Sequence, residues 1–324
     1  MSVQDLGVRV AQDAATAARD TTSVRAADSV PVAKWMRSIQ ERFELLASSR
    51  LPDSSREPAR LHRAMRYAVL DGGKRIRPLL AFAAGETTQA DPAALDHVAL
   101  AVEYVHAYSL VHDDMPCMDD DVLRRGKPTV HVAFDEATAM LAGDALQAEA
   151  FRVLGEAPLG AEVRLELMQR LAQAAGTEGM CGGQAIDLEA TGRAFDASQL
   201  EQMHRMKTGA LLAAAVMMGA HAGRSDTRTF AALEKYAQAI GLAFQIVDDI
   251  LDVEASSAEL GKTAGKDQAQ NKATYVSVLG LSQAKERAAG LRDAAVAALA
   301  DTGLAAARTA RLHQLADVIV ARRN

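Results

Sequence analysis

The residues best suited to chemistry lie in one short acidic segment in the first half of the chain. Residues 105–125 read VHAYSLVHDDMPCMDDDVLRR and contain five aspartates within nine positions, followed at once by two arginines. Carboxylates this dense repel one another, and a hard divalent cation such as Mg²⁺, which takes oxygen ligands and shares a substrate's phosphates, would neutralise them. Adjacent arginines would bind the same phosphates through bidentate hydrogen bonds. A solvated acidic loop is the alternative interpretation of this segment taken alone.

A second acidic segment favours the metal site. Residues 244–252 read FQIVDDILD. On a helix, Asp248 and Asp252 lie one turn apart on the same face, with Gln245 and Asp249 beside them. Carboxylates on an otherwise apolar helix cost stability unless a metal ion or solvent compensates them. The two segments together predict two walls of one site for Mg²⁺ and a diphosphate.

Basic residues occur in two clusters that could bind the anion. The segment GGKRIRP, residues 72–78, contains Lys74 and Arg77, which are three positions apart and share one face of a helix start. The preceding glycines permit a close approach of the backbone. Arg124 and Arg125 belong to the second cluster. A basic helix start exposed at the surface is the alternative for the first one.

Composition limits the class of protein. The chain has 324 residues, of which 49% are hydrophobic and 24% charged, as in ordinary globular proteins, and its net charge is −6. Because this charge does not attract anions, we expect no nucleic-acid partner, and any diphosphate must be bound by local cations. No apolar run is long enough to span a bilayer, and no secretory signal is found. Two cysteines make no disulfide framework, which indicates a cytoplasmic protein.

Apolar residues recur with the helical period in nearly every segment, and no alternating pattern with hairpin turns is found. The fold class predicted is therefore all-α. Residues 1–30 lack this period and are predicted to be a loose tail, which leaves 31–324 as one domain. Pro116 ends one long helix, so Asp119 to Asp121 are expected to fold back toward Asp113. The predicted helices cover residues 32–49, 61–70, 92–114, 129–154, 161–175, a stretch from about 198, 268–280, 282–300 and 303–322.

Seven segments in order resemble one known family. The motifs DDMPCMD and DDILD resemble the two aspartate-rich motifs of the trans-prenyltransferases, the short-chain isoprenyl diphosphate synthases. The resemblance covers roughly residues 34–322 and is strongest with bacterial members that make farnesyl diphosphate. It implies one large antiparallel bundle around a central cavity, Mg²⁺ or alternatively Mn²⁺, and a homodimer. The other matching segments are GGKRIRP (72–78), LRRGKPTVH (123–131), GMCGGQAIDL (179–188), HRMKTGALL (204–212) and GKTAGKDQAQNKATY (261–275).

The resemblance also implies roles for individual residues. Gln184 and Asp187 are expected to support the site from behind its ligands. The expected metal ligands are Asp113, Asp114, Asp119, Asp248 and Asp252. The expected ligands of isopentenyl diphosphate, the homoallylic substrate, are Lys74, Arg77, His106 and Arg125. The expected ligands of the allylic diphosphate are Arg124, Lys207, Thr208, Gln245, Lys262 and Lys266. Taken without the resemblance, a histidine such as His106 is more often a core residue, and Lys207 could lie on an exposed face.

Two residues before the first motif predict the length of the product. Ser109 lies four residues before Asp113, so it is one turn, roughly 5.4 Å, further along the same helix face. If the diphosphate is bound at Asp113, the hydrocarbon tail runs past small Ser109 and stops at bulky Tyr108. This predicts farnesyl diphosphate as the product. The alternatives are that Tyr108 is ordinary core packing, and that the product is geranyl or geranylgeranyl diphosphate.

The implied reaction is a head-to-tail condensation in which pyrophosphate leaves an allylic carbon and the isopentenyl double bond attacks the cation. It needs no side-chain nucleophile, and no Ser–His–Asp or Cys–His pattern is present. A class I terpene cyclase would not need Lys74, Arg77 and His106 for a second diphosphate. A metal phosphohydrolase suggested by His112-Asp113 would need more histidines. A non-catalytic partner subunit could have lost its acidic motifs, whereas both are complete here.

Overall fold

The computed structural model describes residues 31–190, 195–254 and 273–322. The predictions for the tail, residues 1–30, and for Lys262 and Lys266 concern residues outside this part of the chain. Every described element apart from one two-stranded hairpin is helical, which confirms the all-α prediction. The elements in chain order are α1 (Val32–Arg50), α2 (Ala59–Val69), α3 (Ile76–Thr88), α4 (Pro92–Asp113), β1 (Leu123–Arg124), β2 (Lys127–Pro128), α5 (Val130–Ala133), α6 (Glu136–Gly155), α7 (Ala161–Ala175), α8 (Met180–Ala190), α9 (Ala197–His204), a π-helical turn (Arg205–Gly209), α10 (Ala210–His221), α11 (Thr227–Glu254), α12 (Tyr275–Leu279), α13 (Leu281–Ala300) and α14 (Ala306–Ala321).

Helix α4 lies at the centre of the bundle because it is apolar on nearly every side, as expected for a helix surrounded by others. It packs against α3, α6 and α10, and side chains such as Leu100 and Tyr104 are fully buried. Asp91 caps its first turn by accepting a hydrogen bond from the amide of Ala93 at 2.8 Å. The other end of this core helix presents Asp113, so the first acidic motif begins where the core ends.

The approach of α10 to α3 depends on one glycine. A Cβ on Gly219 would lie 2.1 Å from the carbonyl oxygen of Ala81, which is far inside van der Waals contact. Only glycine lets the two backbones meet there. This contact fixes α3, whose N-terminal turn contains the basic motif, against the core.

A two-stranded hairpin replaces the strand-free chain that the sequence predicted. Strands β1 and β2 pair antiparallel, with Leu123 opposite Pro128 and Arg124 opposite Lys127. The turn residues Arg125 and Gly126 have φ values of 54° and 73°, as a two-residue hairpin turn requires. Strands of two residues are too short to show an alternating pattern, so periodicity could not reveal them.

Other helix boundaries differ from those predicted. The helix expected over 129–154 is interrupted, because the side chain of Asp135 accepts a hydrogen bond from the amide of Thr138 at 2.6 Å and starts α6 anew. The helix expected from about 198 contains a π-helical turn between α9 and α10. Of the helix expected over 268–280, the described part is Tyr275–Leu279.

The second acidic motif lies near the C-terminal end of α11, the longest described helix, which packs against α10, α13 and α14. The buried hydroxyl of Tyr236 donates to the carbonyl of Leu312 at 2.8 Å and joins α11 to α14. Helix α14 brings the end of the described chain back to the second motif. Among the described helices, none has the length and apolar character that a bilayer span requires.

Candidate active site

The first acidic motif lies at the end of α4 and in the loop that follows. Asp113 ends the helix and Asp114 is its C-cap. After Pro116 the chain folds back as predicted. The amide of Asp119 donates to the carbonyl of Asp113 at 2.8 Å, and the amide of Asp121 donates to the carbonyl of Asp114 at 3.1 Å. The backbone therefore holds the two halves of the motif together.

The Asp113 carboxyl is placed where its charge is costly. Burial raises its pKa to about 6, with the charges of Asp119 and Asp114 acting in the same direction and those of Lys207 and Arg124 opposing them. A divalent cation would remove this cost, because it favours the ionised form of a nearby carboxyl. Asp113 therefore has the properties expected of a metal ligand.

Asp114 contacts Arg124 in this structure. The carboxylate is buried and accepts a hydrogen bond from Arg124 Nε at 3.0 Å and a second one from the other end of the guanidinium group. Arg124 also pairs with Asp121 at 3.4 Å. Burial raises the pKa of Asp114, and Arg124 opposes the shift. The metal role of Asp114 and the diphosphate role of Arg124 stay predictions, since here they neutralise each other.

Six residues predicted to bind diphosphate line one cavity of about 350 Å³. They are Lys74, Arg77, His106, Arg124, Arg125 and Thr208. Asp248 lines the same cavity, so α11 forms part of its wall. Arg124 lines the cavity and pairs with Asp114, so it connects the first acidic motif to the cavity that Asp248 of the second motif lines.

Burial disfavours the charged forms of the basic side chains that line this cavity. Burial lowers the pKa of Arg77 to about 10, and it also lowers the pKa of Lys74. The pKa of His106 lies well below its usual value because of burial and the nearby Arg77 and Arg125, which keeps the imidazole neutral. The buried Nε of Arg77 has no hydrogen-bond partner among the described residues. An anion in the cavity would relieve all of these costs.

Glycines of the basic motif accommodate Arg125. A Cβ on Gly73 would lie 2.7 Å from Cζ of Arg125, and the φ of Gly73 is +98°. Arg125 donates from a terminal nitrogen to the carbonyl of Gly72 at 3.0 Å. Gly73 thus leaves room for the guanidinium of the hairpin arginine, whereas a Cβ on Gly72 would lie at an ordinary contact distance of 3.6 Å.

The π-helical turn contains two further predicted residues, Lys207 and Thr208. Lys207 Nζ lies 2.6 Å from Asp187 Oδ2 on α8, and Thr208 Oγ1 donates to Gln245 Oε1 on α11 at 2.7 Å. The extra residue in a π turn shifts the helix face, and such turns are frequent at functional sites. Lys207 therefore forms an ion pair with Asp187 and does not lie on an exposed face. The support role of Asp187 agrees with this contact, and the buried Gln184 amide has no hydrogen-bond partner among the described residues.

The carboxylates of the second acidic motif have different surroundings. Asp249 is buried, accepting from Gln245 Nε2 at 2.9 Å and from the amide of Tyr275 at 2.8 Å, which fastens α11 to α12. Asp248 is partly exposed to the cavity, and Asp252 is buried. Only Asp248 and Asp252 were predicted as metal ligands, and the engagement of Asp249 elsewhere is consistent with that choice.

The donors of the two motifs fit Mg²⁺. In the described ranges, no three His, Cys, Asp or Glu side chains already form a metal-binding cluster. Mg²⁺ does not need one, because it keeps several waters and commonly takes one or two carboxylates together with substrate phosphates. Asp113 and Asp119 on one wall and Asp248 on the other can supply such carboxylates.

The predicted chain-length residues lie on α4 near the first motif. Tyr108 is buried, and its hydroxyl lies 3.8 Å from the sulfur of Cys181 on α8. Its ring meets His112 edge to face at 5.8 Å between centroids. Ser109 is partly buried and donates from its hydroxyl to the carbonyl of His106 at 2.9 Å. The ring of Tyr108 thus lies between α4 and α8, and its role in stopping the hydrocarbon tail stays a prediction.

Sequence reasoning missed Arg322, which follows α14. Its guanidinium lies 2.8 Å from Asp248 Oδ1, donates to the carbonyl of Phe244 at 2.5 Å and stacks on the Phe244 ring at 3.8 Å. Arg322 also lines the cavity with Lys74 and Arg77. The only signal was a basic pair after the last periodic segment, and nothing local indicated that α14 returns to the site.

Comparisons with known proteins find relatives that match most of the chain. The family described as "Polyprenyl synthetase" matches residues 58–303. The chain is 48% identical to farnesyl diphosphate synthase of Haemophilus influenzae over 82% of this chain and 90% of that protein. It is 50% identical to farnesyl diphosphate synthase of Escherichia coli over 80% of this chain and 88% of that protein.

Solved structures show the same fold. An FPP/GFPP synthase from Zymomonas mobilis superposes with a TM-score of 0.80 at 42% identity, covering 90% of this chain and 99% of that one. A geranyltransferase from Helicobacter pylori complexed with magnesium and isoprenyl diphosphate superposes with a TM-score of 0.78 at 35% identity, covering 90% and 97%.

Proposed function

Because this chain belongs to the polyprenyl synthetase family, we propose that it synthesises farnesyl diphosphate. It condenses isopentenyl diphosphate with dimethylallyl diphosphate, and then with geranyl diphosphate, releasing pyrophosphate each time. The curated relatives bear out the prenyltransferase activity predicted from the motifs. The single observation behind the proposal is one cavity that brings six predicted diphosphate ligands together with Asp248 of the second acidic motif, while Arg124 in its wall pairs with Asp114 of the first.

The acidic motifs bind the allylic substrate. Asp113, Asp119 and Asp248 are the proposed Mg²⁺ ligands, with Asp114 and Asp252 completing the set. Bound Mg²⁺ would neutralise charge that develops on the departing pyrophosphate. The Helicobacter pylori geranyltransferase, whose structure is complexed with magnesium and isoprenyl diphosphate, supports the choice of Mg²⁺.

Protein cations act on the same leaving group. Lys207 and Arg124 are now neutralised by Asp187 and Asp114, and an arriving diphosphate would compete for their hydrogen bonds. Groups placed in advance around a developing negative charge stabilise the transition state. Lys262 and Lys266 are proposed to contribute to this binding. The Thr208–Gln245 pair presents oxygen dipoles to the developing allylic cation.

The basic cavity binds isopentenyl diphosphate. Lys74, Arg77, His106 and Arg125 hold its diphosphate so that the double bond faces the allylic carbon. Neutral His106 donates one hydrogen bond without adding a further charge to the cluster. After the new bond forms, a proton is lost to the released pyrophosphate, so no protein nucleophile is required.

The length of the product is set along α4. The allylic tail extends past Ser109 toward Tyr108, and the Tyr108 ring against α8 limits it to fifteen carbons. Tyr108→Ala should lengthen the product, and Ser109→Phe should shorten it toward geranyl diphosphate. If both variants release the wild-type product mixture, this wall does not set length. A longer product remains the second candidate, because the Zymomonas mobilis relative is described as an FPP/GFPP synthase.

The protein is proposed to act as a cytoplasmic homodimer. Exposed apolar residues Ala137, Met140, Leu141 and Ala148 recur at helical spacing on the outer side of α6. A second copy of the chain could cover such a stripe. The two cysteines are free thiols, as is usual in a reducing compartment.

Product analysis tests the function. The purified protein should be incubated with Mg²⁺, dimethylallyl diphosphate and isopentenyl diphosphate, and the dephosphorylated products identified by mass. We expect farnesol as the main product, with one pyrophosphate released per bond formed. Cyclic hydrocarbons would indicate a terpene cyclase. Absence of any condensation with the full-length chain would favour a non-catalytic partner subunit.

A further inference from the structure

Arg75 stands between two proposed diphosphate ligands, Lys74 and Arg77, but its nitrogens are all engaged by the protein. Nε donates to Glu44 at 3.0 Å, and the terminal nitrogens donate to Glu103 at 3.0 Å and to Glu44 and the carbonyl of Val69 at 2.5 Å. The side chain is 1% exposed. Arg75 borders the cavity, but four of its five N–H groups donate to the protein.

The backbone of Arg75 adopts an unfavourable conformation. Its φ and ψ are 53° and 39°, in the left-handed region that residues other than glycine seldom enter. This residue is the N-cap of α3, so its conformation sets the direction in which the chain enters the helix. Strained residues of this kind persist only where surrounding contacts hold them, and they concentrate at functional sites.

Glu103 is an unexpected neighbour for a diphosphate. It lies on α4, three residues before His106, borders the basic cavity and is 2% exposed. One of its oxygens accepts from Arg75, and the other has no hydrogen-bond partner among the described residues. A carboxylate there repels an incoming anion, so its presence needs a compensating benefit. Its contact with Arg75 ties the first turn of α3 to α4.

The ring of Phe43 completes the enclosure of Arg75. The guanidinium carbon lies 4.6 Å from the ring centroid, and Glu44 comes from the same helix, α1. Contacts from α1 and α4 thus fix one arginine of the loop before α3. Lys74 precedes that arginine and Arg77 follows it by two residues, so both depend on the same fixed turn.

We propose that Arg75 is a positioning residue, which Glu44 and Glu103 lock in a left-handed turn so that Lys74 and Arg77 face the homoallylic diphosphate. This inference rests on the proposed function, because it assigns the cavity to isopentenyl diphosphate. Arg75 itself does not bind the substrate. Glu103 contributes by holding Arg75, although its own charge opposes binding.

The test compares three variants in steady-state kinetics with geranyl diphosphate and isopentenyl diphosphate. Glu103→Gln keeps the shape of the partner but removes its charge. We expect KM for isopentenyl diphosphate to rise about tenfold, with KM for geranyl diphosphate and kcat within about threefold of wild type. Arg75→Gly should be milder than Arg75→Ala, because glycine tolerates the left-handed turn.

A matched control uses the same two helices. Arg42 on α1 pairs with Asp96 on α4 at 2.5 Å, and neither residue borders the cavity. Asp96→Asn should lower the melting temperature without a selective change in either KM. A melting temperature measured for every variant shows whether each one is folded, and Glu103→Gln provides the test if the arginine variants do not fold.

Two outcomes overturn the proposal. If Arg75 were itself a ligand, its release in Glu103→Gln would leave KM for isopentenyl diphosphate unchanged or lower, and Arg75→Gly would equal Arg75→Ala. If the cluster were only structural, Glu103→Gln would resemble Asp96→Asn. Failure of the wild-type protein to condense the two substrates would instead refute the proposed function.

Discussion

Asp113 shows how a single residue can favour function over stability. Its pKa in the folded protein, about 6, lies above the value of roughly 3.9 in an unfolded chain. The folded state therefore binds this proton more tightly. The resulting stabilisation is fully present below about pH 4 and is lost as pH rises through about 6.

Asp113→Asn should stabilise the metal-free protein above that range. At pH 8 its free energy of unfolding should exceed the wild-type value by about 1–2 kcal/mol, and the gain should vanish near pH 4. Urea unfolding in EDTA measures both. The same variant should lose at least ~100-fold in turnover. Exposed Asp120→Asn is the control for deletion of one carboxylate, and an equal stability gain there would contradict the explanation.

Arg322 is a second residue whose charge affects metal binding. Its guanidinium pairs with Asp248, which is a proposed metal ligand, so a cation that binds Asp248 must displace Arg322. Arg322→Gln should bind Mn²⁺ about three- to tenfold more tightly than wild type in the absence of substrate, because a repulsive charge is removed. Titration calorimetry measures the affinity.

The control for Arg322 is another arginine–aspartate pair. Arg292 Nε donates to Asp317 at 2.8 Å on the surface, away from the cavity. Arg292→Gln should leave Mn²⁺ affinity unchanged. Weaker Mn²⁺ binding by Arg322→Gln would mean that this arginine supports the metal site and does not compete with it.

At the scale of elements, α8 and the π-helical turn meet at one glycine. A Cβ on Gly183 would lie 2.1 Å from the backbone nitrogen of Lys207. Gly183→Ala must therefore push the turn away and displace Lys207 and Thr208. We expect a loss of about 1–3 kcal/mol in unfolding free energy and a higher KM for geranyl diphosphate.

Gly290 in α13 provides the matched control, since no atom lies within 4 Å of a Cβ placed there. Gly290→Ala should be neutral or stabilising by about 0.5–1 kcal/mol, because alanine favours helix. If Gly183→Ala behaves like Gly290→Ala, the close contact is not needed to position Lys207.

Sequence patterns predicted those elements whose information is local. Apolar periodicity identified the long helices, and Pro116 marked the point where α4 gives way to a loop. The hairpin at Arg124 was missed because two-residue strands have no measurable period. The π turn at Lys207 was missed because nothing in the sequence marks where the extra residue is inserted into the helix. The apolar period could not be corrected for a shift whose position was unknown.

Residue types and their spacing predicted most of the site, because the motifs that contain these residues are also local in the sequence. Lys74, Arg77, His106 and Arg124 were identified from motifs, and the structure brings them to one cavity. Arg322 could not be identified, because only the return of α14 gives it a partner. Likewise, no sequence rule indicates that Arg75 is locked by Glu103 while its neighbours face the cavity.

For the whole molecule, the exposed apolar stripe on α6 predicts self-association. Leu141 is 56% exposed in the isolated chain. Leu141→Glu would place a charge within the proposed dimer interface and should convert the dimer to a monomer in light scattering. Exposed Leu45 on α1, replaced by Glu, is the control. A wild-type protein that is monomeric at micromolar concentration would refute the dimer.

The central claim is that the molecule has two different diphosphate sites, one at the basic cavity and one at the acidic motifs. Steady-state kinetics of Arg77→Ala test it most directly, because Arg77 is buried in the cavity wall and distant in sequence from both motifs. We expect KM for isopentenyl diphosphate to rise at least ~10-fold, while KM for geranyl diphosphate stays within about twofold. An equal rise in both KM values would contradict it.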